Sequence, residues 1–313
     1  MENIVIIGSG PAAYAAALSA VKHKPLLFEG ELVGDIGPGG QLTTTTNVDN
    51  YPGFPNGVQG PDLMEAMREQ AINKGIRIVS KTVISLKKEN GNFVVGIKGK
   101  DYAARSVIIA TGASARRLHV PGTNDGEFWQ KGISACAICD GFFFKGKNIA
   151  VLGGGDSAME EAIYLSNIAK KLYVIHRRNE FRARPDKVDK IKSISNLEII
   201  TPAVLLSAHG EGVLKYLKLQ NPETKETFEL EVDGLFFGIG HDPNVKFLGN
   251  LLELNELGYI KTDSNTHTSA EGCFACGDVQ DYVFRQAITA AASGCIAGFE
   301  AASYVESKNK SAS

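Results

Sequence analysis

Cys136 and Cys139 stand three positions apart in "SACAICDG", and Asp140 follows directly. Two cysteines at that spacing can clamp a metal, close a structural disulfide, or exchange electrons with another dithiol. A carboxylate beside them adds a group able to give or take the proton that thiol exchange moves. The pair alone does not choose among these. A second C-x-x-C, Cys273-Phe-Ala-Cys276, makes a four-cysteine zinc site arithmetically available. It lies in an apolar stretch that reads as a buried strand, where residues three apart face opposite sides. Those two cysteines therefore cannot converge on one ion or on each other. They read as small core side chains, as does Cys295 in the Ala-rich helix from Ala287 to Ala302.

The elements around the first pair narrow its chemistry. Near the start, an apolar strand from Ile4 to Ile7 meets Gly8-Ser9-Gly10-Pro11-Ala12-Ala13, and an Ala-rich helix follows. This is G-x-G-x-x-A between a strand and a helix, the setting in which a pyrophosphate rests on free helix N–H groups. The next strand, "PLLFEGE", ends at Glu29, where an acid accepts hydrogen bonds from a ribose 2′-hydroxyl and repels a 2′-phosphate. The pattern recurs. Strand Ile149 to Leu152 runs into Gly153-Gly154-Gly155-Asp156-Ser157-Ala158 and a helix. The strand after it ends in His176-Arg177-Arg178, with Arg182 close behind. Guanidinium forks match phosphate oxygens, so this unit suits a 2′-phosphate. One unit reads as built for FAD or NAD, the other for NADP. His176 reads equally as a stacking partner for adenine or as a cap on its strand.

Each unit also carries a late strand with a Gly-rich end, Val107 to Gly112 and Leu235 to Gly240, whose backbone would approach a cofactor. Ala110, Thr111 and Gly112 fall there in the first unit and Ile239 in the second. A further strand ends at Gly277-Asp278, with a helix beginning near Arg285, and has no partner unit downstream. It should return to the first domain. The expected fold is α/β, with two nucleotide-binding three-layer (ββα-type) Rossmann-like domains. Residues 1–115 with 246–313 form the first, and 116–245 form an insertion carrying Cys136 and Cys139. Gly60 to Gly75 reads as an amphipathic helix and Arg77 to Lys98 as paired strands turning at Asn90-Gly91. "PGGQLTTTTNVDNYPGFP" reads as an irregular segment that wraps a cofactor.

Bulk properties exclude other classes. The 313 residues are 43% hydrophobic and 22% charged, with a formal net charge of -2, which gives no electrostatic case for nucleic acid or an anionic membrane. No apolar run approaches the ~20 residues of a membrane helix. A first strand beginning at Asn3 leaves no room for a signal peptide, so the expected location is a reducing cytoplasm. In that setting a C-x-x-C beside a flavin and an NADP site completes an electron path from nicotinamide to flavin to disulfide and outward.

"GSGPAAYAAA", "GGQLTTTT", "ATGA", "CAICDG", "GGGDSAMEEA", "HRRNEFRA" and "ACGDV…RQAITAAASGC" occur in an order that resembles the low-molecular-weight thioredoxin reductase family along essentially the whole chain. The resemblance implies a homodimer that passes two electrons from NADPH through FAD and the C-x-x-C to oxidised thioredoxin. It makes Cys139 the flavin-facing cysteine, Cys136 the one that attacks thioredoxin, and Asp140 the proton donor or acceptor. For FAD it implies Gly8, Ser9, Gly10, Pro11, Ala12, Glu29, Ile36, Gly37, Gln41, Leu42, Asn50, Val83, Gly277, Asp278, Arg285, Gln286 and Ala287. For NADPH it implies Gly155, Asp156, Ser157, His176, Arg177, Arg178, Arg182 and Ile239. Cys276 departs from the family, which usually has another small residue there.

Nicotinamide site and disulfide share the inserted domain, yet both must reach one flavin, so the expectation is a domain rotation that offers them alternately. Phe142 to Phe144 read as a surface that could dock thioredoxin when exposed and equally, for at least two of the three rings, as core. A nucleotide-binding sensor built on the same modules is the alternative from another class, and the intact cysteine pair weighs against it.

Overall fold

Side-chain alternation in the first strand decides the layering. In Glu2–Ile7, Ile4 and Ile6 enter one apolar cluster with the helices Pro11–Ser19, Gly60–Asn73 and Ala287–Ala312. Val5 and Ile7 enter another with the strands Val83–Glu89 and Asn92–Ile97. A period of two thus puts helices on one face and an antiparallel meander on the other. The computed structural model describes residues 1–31, 38–44 and 47–312, so Ile36 and Gly37 lie outside the described residues.

The chain divides into two compact units, Met1–Ser114 with Asp242–Ser313, and Ala115–His241. In the first, the strand order is Arg77–Val79, Leu26–Phe28, Glu2–Ile7, Lys100–Ile109, Asn92–Ile97, Val83–Glu89. Cys273–Ala275 pairs with Lys100–Ile109, off this path. The sequence suggests a strand from Val107 to Gly112, but the strand spans Lys100–Ile109 because it serves two layers. Lys100 to Ala104 pair antiparallel in the meander, and Ala104 to Ile109 pair parallel with the first strand. The hairpin of Val83–Glu89 and Asn92–Ile97 turns at Asn90 and Gly91, with φ of 50° and 81°, as an Asn-Gly turn requires. Asp242 to Val245 belong to this unit: Asn244 N donates to Gly112 O at 3.0 Å, and Thr111 Oγ1 to Asn244 O at 2.8 Å.

The second unit repeats the plan. Five parallel strands run Ile133–Ser134, Gly234–Phe237, Asn148–Leu152, Lys171–Ile175, Leu197–Ile200. Ile149 and Val151 pack toward the helices Asp156–Ser166 and Pro185–Lys192, while Ala150 and Leu152 pack toward the meander of Val204–Glu211, Val213–Gln220 and Thr227–Glu231. Both units are three-layer and Rossmann-like.

The last helix begins at Ala287, two residues past Arg285. Arg285 has φ of 49°, outside the right-handed helical region, and Asp281 Oδ1 holds the turn before it by accepting from Val283 N and Phe284 N. The same helix lies close against Pro11–Ser19: a Cβ on Gly294 would stand 2.1 Å from Ala12 O, and one on Gly298 2.5 Å from Ala16 O. That close fit is what the Gly294 and Gly298 pattern serves. No described helix is long and apolar enough to cross a membrane.

Candidate functional site

Strand Ile133–Ser134 delivers the chain to the cysteine pair, which is closed as a disulfide with S–S 2.03 Å and Cα–Cα 5.3 Å. The sequence suggests a turn here, and the structure has a short helix, Ala137–Asp140, with Cys136 as its N-cap. Cys136 Sγ accepts from Cys139 N at 3.2 Å. A thiolate at Cys136 would keep that donor, which favours the ionised sulfur. Cys136 is half-buried and Cys139 exposed.

Asp140 is only 7% exposed. It precedes the 3-10 turn Gly141–Phe144 but its side chain makes no capping bond there. Instead it accepts from Ser134 Oγ, which itself accepts from Cys136 N at 3.0 Å. Burial pushes the Asp140 carboxyl above its ordinary range, with the Ser134 bond opposing. Because the native carboxyl titrates above its unfolded value, the folded state keeps a proton that the unfolded state releases. Stability therefore falls as pH rises through that window. Asp140→Asn keeps an acceptor for Ser134 and removes the buried charge. At about pH 7 it should raise Tm while slowing turnover by roughly 10²-fold or more. Paired thermal melts and turnover assays check this; a variant both less stable and fully active would refute it.

The three phenylalanines divide two to one. Phe142 and Phe143 are 68% and 46% exposed, and only Phe144 packs inward, edge-on to Phe236 at 5.4 Å. Of the two readings of this stretch, the exposed one holds for two rings and core for one. In a 3-10 turn successive side chains point about 120° apart, so one of three faces the sheet.

Cys273 and Cys276 fall into different apolar clusters on the two faces of the first unit's sheet. Burial pushes both thiols up to about 12. Among the described residues no group of three or more His, Cys, Asp or Glu could hold a metal. Cys295 is half-buried and accepts from Ser19 Oγ at 3.2 Å.

In the first unit Gly8 has φ of 133°, and a Cβ there would stand 2.1 Å from Ala110 O, so the turn tolerates glycine alone. Gly10 faces open space over the start of the helix at Pro11, the room a diphosphate needs. Ser9 Oγ accepts from Gly39 N at 2.9 Å, which brings the segment carrying Gln41 and Leu42 to the turn. Gly277, with φ of 70°, lies against Ala12. Beside it Asp278 is raised to about 7, first by burial and then by Asp281, with Arg285 opposing. Asn50 Nδ2 donates to Gln286 Oε1 at 2.9 Å, joining two predicted residues 236 positions apart. Thr111 and Gly112 are half-buried at the strand end, while Ala110 and Val83 are core side chains with only backbone to offer. Glu29 is buried and paired with Arg68, a partner that no local sequence signal marks.

In the second unit a Cβ on Gly154 would run into the His176 ring at 2.3 Å, whereas Gly155 has open space. His176 is 7% exposed and stacks on Phe181 at 5.5 Å. Its Nε2 is buried without a hydrogen-bond partner. Burial first, then Arg177, Arg182 and Arg178, hold its pKa below the ordinary histidine value. The side chains of Arg177, Arg178 and Arg182 are exposed and make no hydrogen bond or ion pair among the described residues. Asp156 is engaged elsewhere, accepting from Arg184 N at 2.8 Å and facing Lys187 Nζ at 3.3 Å. Ser157 lies in the first turn of the helix, and Ile239 is half-buried after strand Gly234–Phe237. An orphaned buried imidazole nitrogen and three uncommitted guanidiniums beside an open glycine turn fit a phosphorylated nucleotide. Ser134, Arg68 and Phe181 were not anticipated; Ser134 lies within "SACAICDG" and Phe181 within "HRRNEFRA", whereas Arg68 lies in no motif.

A model of the pyridine nucleotide-disulphide oxidoreductase family matches residues 2–294. The chain is 45% identical over 305 residues to the thioredoxin reductase of Chlamydia pneumoniae, covering 96% of this chain and 97% of that protein. It is 46% identical over 315 residues to that of Schizosaccharomyces pombe, covering 97% of each. Among solved structures, thioredoxin reductase from Giardia duodenalis superposes with a TM-score of 0.90 at 38% identity, over 97% of this chain and 98% of that one. The FR conformation of the Lactococcus lactis enzyme superposes at 0.65 with 34% identity, over 98% and 100%. A likeness that spans both units and their closed dithiol leaves one assignment: this chain belongs to the pyridine nucleotide-disulphide oxidoreductase family, among its thioredoxin reductases.

Proposed function

We propose that this oxidoreductase uses NADPH and FAD to reduce the disulfide of thioredoxin through Cys136 and Cys139. The observation that carries this reading is the bonded cysteine pair with a buried Asp140 tied to it through Ser134. When bound, a nicotinamide nucleotide supplies hydride and a flavin relays two electrons to a disulfide.

The residues of the chain do the rest. Gly8, Gly10 and the N-terminus of helix Pro11–Ser19 would hold the diphosphate of FAD, with Glu29 at its adenosine ribose and Asp278 near its sugar chain. Gly155, His176, Arg177, Arg178 and Arg182 would hold NADPH, the arginines on its 2′-phosphate. In the dithiol form, Cys136 loses its proton and attacks one sulfur of the client disulfide. That S–S bond breaks, and the departing client sulfur takes a proton from Asp140. Cys139 passes its proton to the Asp140 carboxylate and attacks Cys136 Sγ, which closes the Cys136–Cys139 bond and releases the second client sulfur; that sulfur takes from solvent the equivalent of the proton Cys136 gave up, and the client leaves as a dithiol. Exposed Ile138, Phe142 and Phe143 give the client an apolar surface beside the reacting sulfurs.

The reading includes alternation of domain orientation, because the two electron-carrying sites of Ala115–His241 serve one flavin in turn. Relatives of similar identity support it: 0.90 for the Streptococcus pyogenes enzyme at 35%, against 0.65 for the L. lactis FR conformation at 34%. It also includes a homodimer in a reducing cytoplasm. Ile288, Ile296 and Phe299 form an exposed apolar stripe on helix Ala287–Ala312 that suits a second copy.

Anaerobic titration of the FAD-loaded protein with NADPH tests the reading. Uptake should exceed the flavin by one further equivalent, which reduces the disulfide. A nucleotide sensor would stop at the flavin.

A further inference from the structure

Glu29 directly follows strand Leu26–Phe28, at the end of the sheet where the Gly8 amide donates to Phe28 O at 2.9 Å. Its side chain is 3% exposed and is held from three directions. Arg68, on helix Gly60–Asn73, donates Nε to Oε2 at 2.9 Å and Nη2 to Oε1 at 3.2 Å. Ser80 Oγ donates to Oε1 at 2.6 Å, and the Tyr14 hydroxyl supplies a further bond from the first helix. A carboxylate this deep, left alone, would be driven toward its neutral form. The guanidinium fork opposes that with charge and with two aligned donors.

We propose that Arg68 is a positioning residue that keeps Glu29 an oriented, ionised acceptor for an adenosine ribose with free hydroxyl groups, and so governs retention of FAD. The inference rests on the flavin reading given above. Oε1 takes both the Nη2 and the Ser80 bonds, whereas Oε2 takes only Nε of these three, so Oε2 is the oxygen better able to accept from a ribose hydroxyl. Arg68 is one-third exposed, so its own surroundings demand little of it as packing.

The same geometry separates positioning from plain structural support. The titratable or charged groups acting on Glu29 are Tyr14 from the first helix and Arg68 from helix Gly60–Asn73; Glu65 of that helix acts on Tyr14 and Arg68, and Ser80, after strand Arg77–Val79, is neutral. Burial works to raise the Glu29 carboxyl, but Arg68, Ser80 and Tyr14 together hold it below the ordinary range. The Tyr14 hydroxyl is itself pushed up, by burial and by Glu29, so it stays a donor. Without the Arg68 cation, burial is opposed only by the Ser80 and Tyr14 bonds, so the Glu29 carboxyl moves up.

The test is the fluorescence of FAD released from diluted holoprotein, read as Kd from about pH 8 down to about pH 5. Wild type gives the reference profile, which carries whatever the buried Asp278, at about 7, contributes. In Arg68→Met the Kd should rise about tenfold to a hundredfold above that reference toward acid, the worth of a charge-assisted hydrogen bond. Arg68→Lys, which restores the cation, should follow the reference again, and so should Arg68→Met combined with Glu29→Gln, which leaves nothing to titrate at position 29. If Arg68→Met does not fold, Arg68→Gln serves in its place. A profile in Arg68→Met that parallels wild type, or an Arg68→Lys profile that departs from wild type toward acid, overturns the positioning role alone. A wild-type protein that holds no FAD overturns the flavin reading and this inference together.

Discussion

Cys136→Ser and Cys139→Ser should each cut NADPH-dependent reduction of thioredoxin by roughly 10³-fold or more, with bound FAD retained in both. Serine oxygen neither forms the mixed disulfide nor leaves from it, so either change breaks the relay, while the loss of one sulfur hardly alters volume at a half-exposed helix end. The two variants should then differ in a second way. Pre-reduced Cys139→Ser still has Cys136, whose sulfur accepts the Cys139 amide in the structure. It should attack oxidised thioredoxin and stall, since the resolving sulfur is gone. Cys136→Ser should not trap the client in this way. Non-reducing electrophoresis after mixing with thioredoxin reads the difference directly. Equal trapping by both would assign the wrong cysteine to the attack, and undiminished turnover by either would remove the pair from the reaction.

The second large effect concerns nucleotide choice. The Arg177→Ala/Arg178→Ala double variant should raise KM for NADPH by roughly 100-fold or more and leave KM for NADH nearly unchanged. Each charge-assisted bond to a phosphate is worth about 1.5–3 kcal/mol. Two such losses exceed any screening of these exposed side chains by salt. Neither guanidinium is engaged elsewhere among the described residues, so removing them should cost the fold little. Initial rates with the two nucleotides side by side give the measurement. Equal losses with NADH and NADPH would mean that these arginines support the strand end and do not read the 2′-phosphate.

Legibility in the sequence follows the range of the interaction. Gly8, Gly10, Gly155 and the Asn90-Gly91 hairpin are local: a few consecutive residues carry both the conformation and its reason. The layering of both units was readable for the same cause, since a strand's period of two writes the faces of a sheet into five or six residues. Arg68 could not be read, because its partner lies 39 positions away and any exposed helix face carries arginines. The long strand Lys100–Ile109 was cut short in the reading because half of it belongs to a meander whose register depends on Asn92–Ile97. The division among the phenylalanines after Asp140 was not legible because hydrophobicity says nothing about a 3-10 turn, and that turn decides which single ring reaches Phe236. Asp140 itself was legible as a candidate acid. That its carboxyl turns back to Ser134 instead of capping the next turn was not, since both outcomes use the same short peptide.

A protein that trades in sulfur chemistry must also avoid scrambling itself. Cys273 and Cys276 sit on opposite sides of a hydrogen-bonded wall of backbone, each without water and with its thiol reluctant to ionise. Neither can find the other, and no wandering disulfide can line up on them while the sheet stands. The chain can therefore keep spare cysteines as ordinary filling for its interior, and the traffic of electrons stays on the one couple that leads out of the molecule.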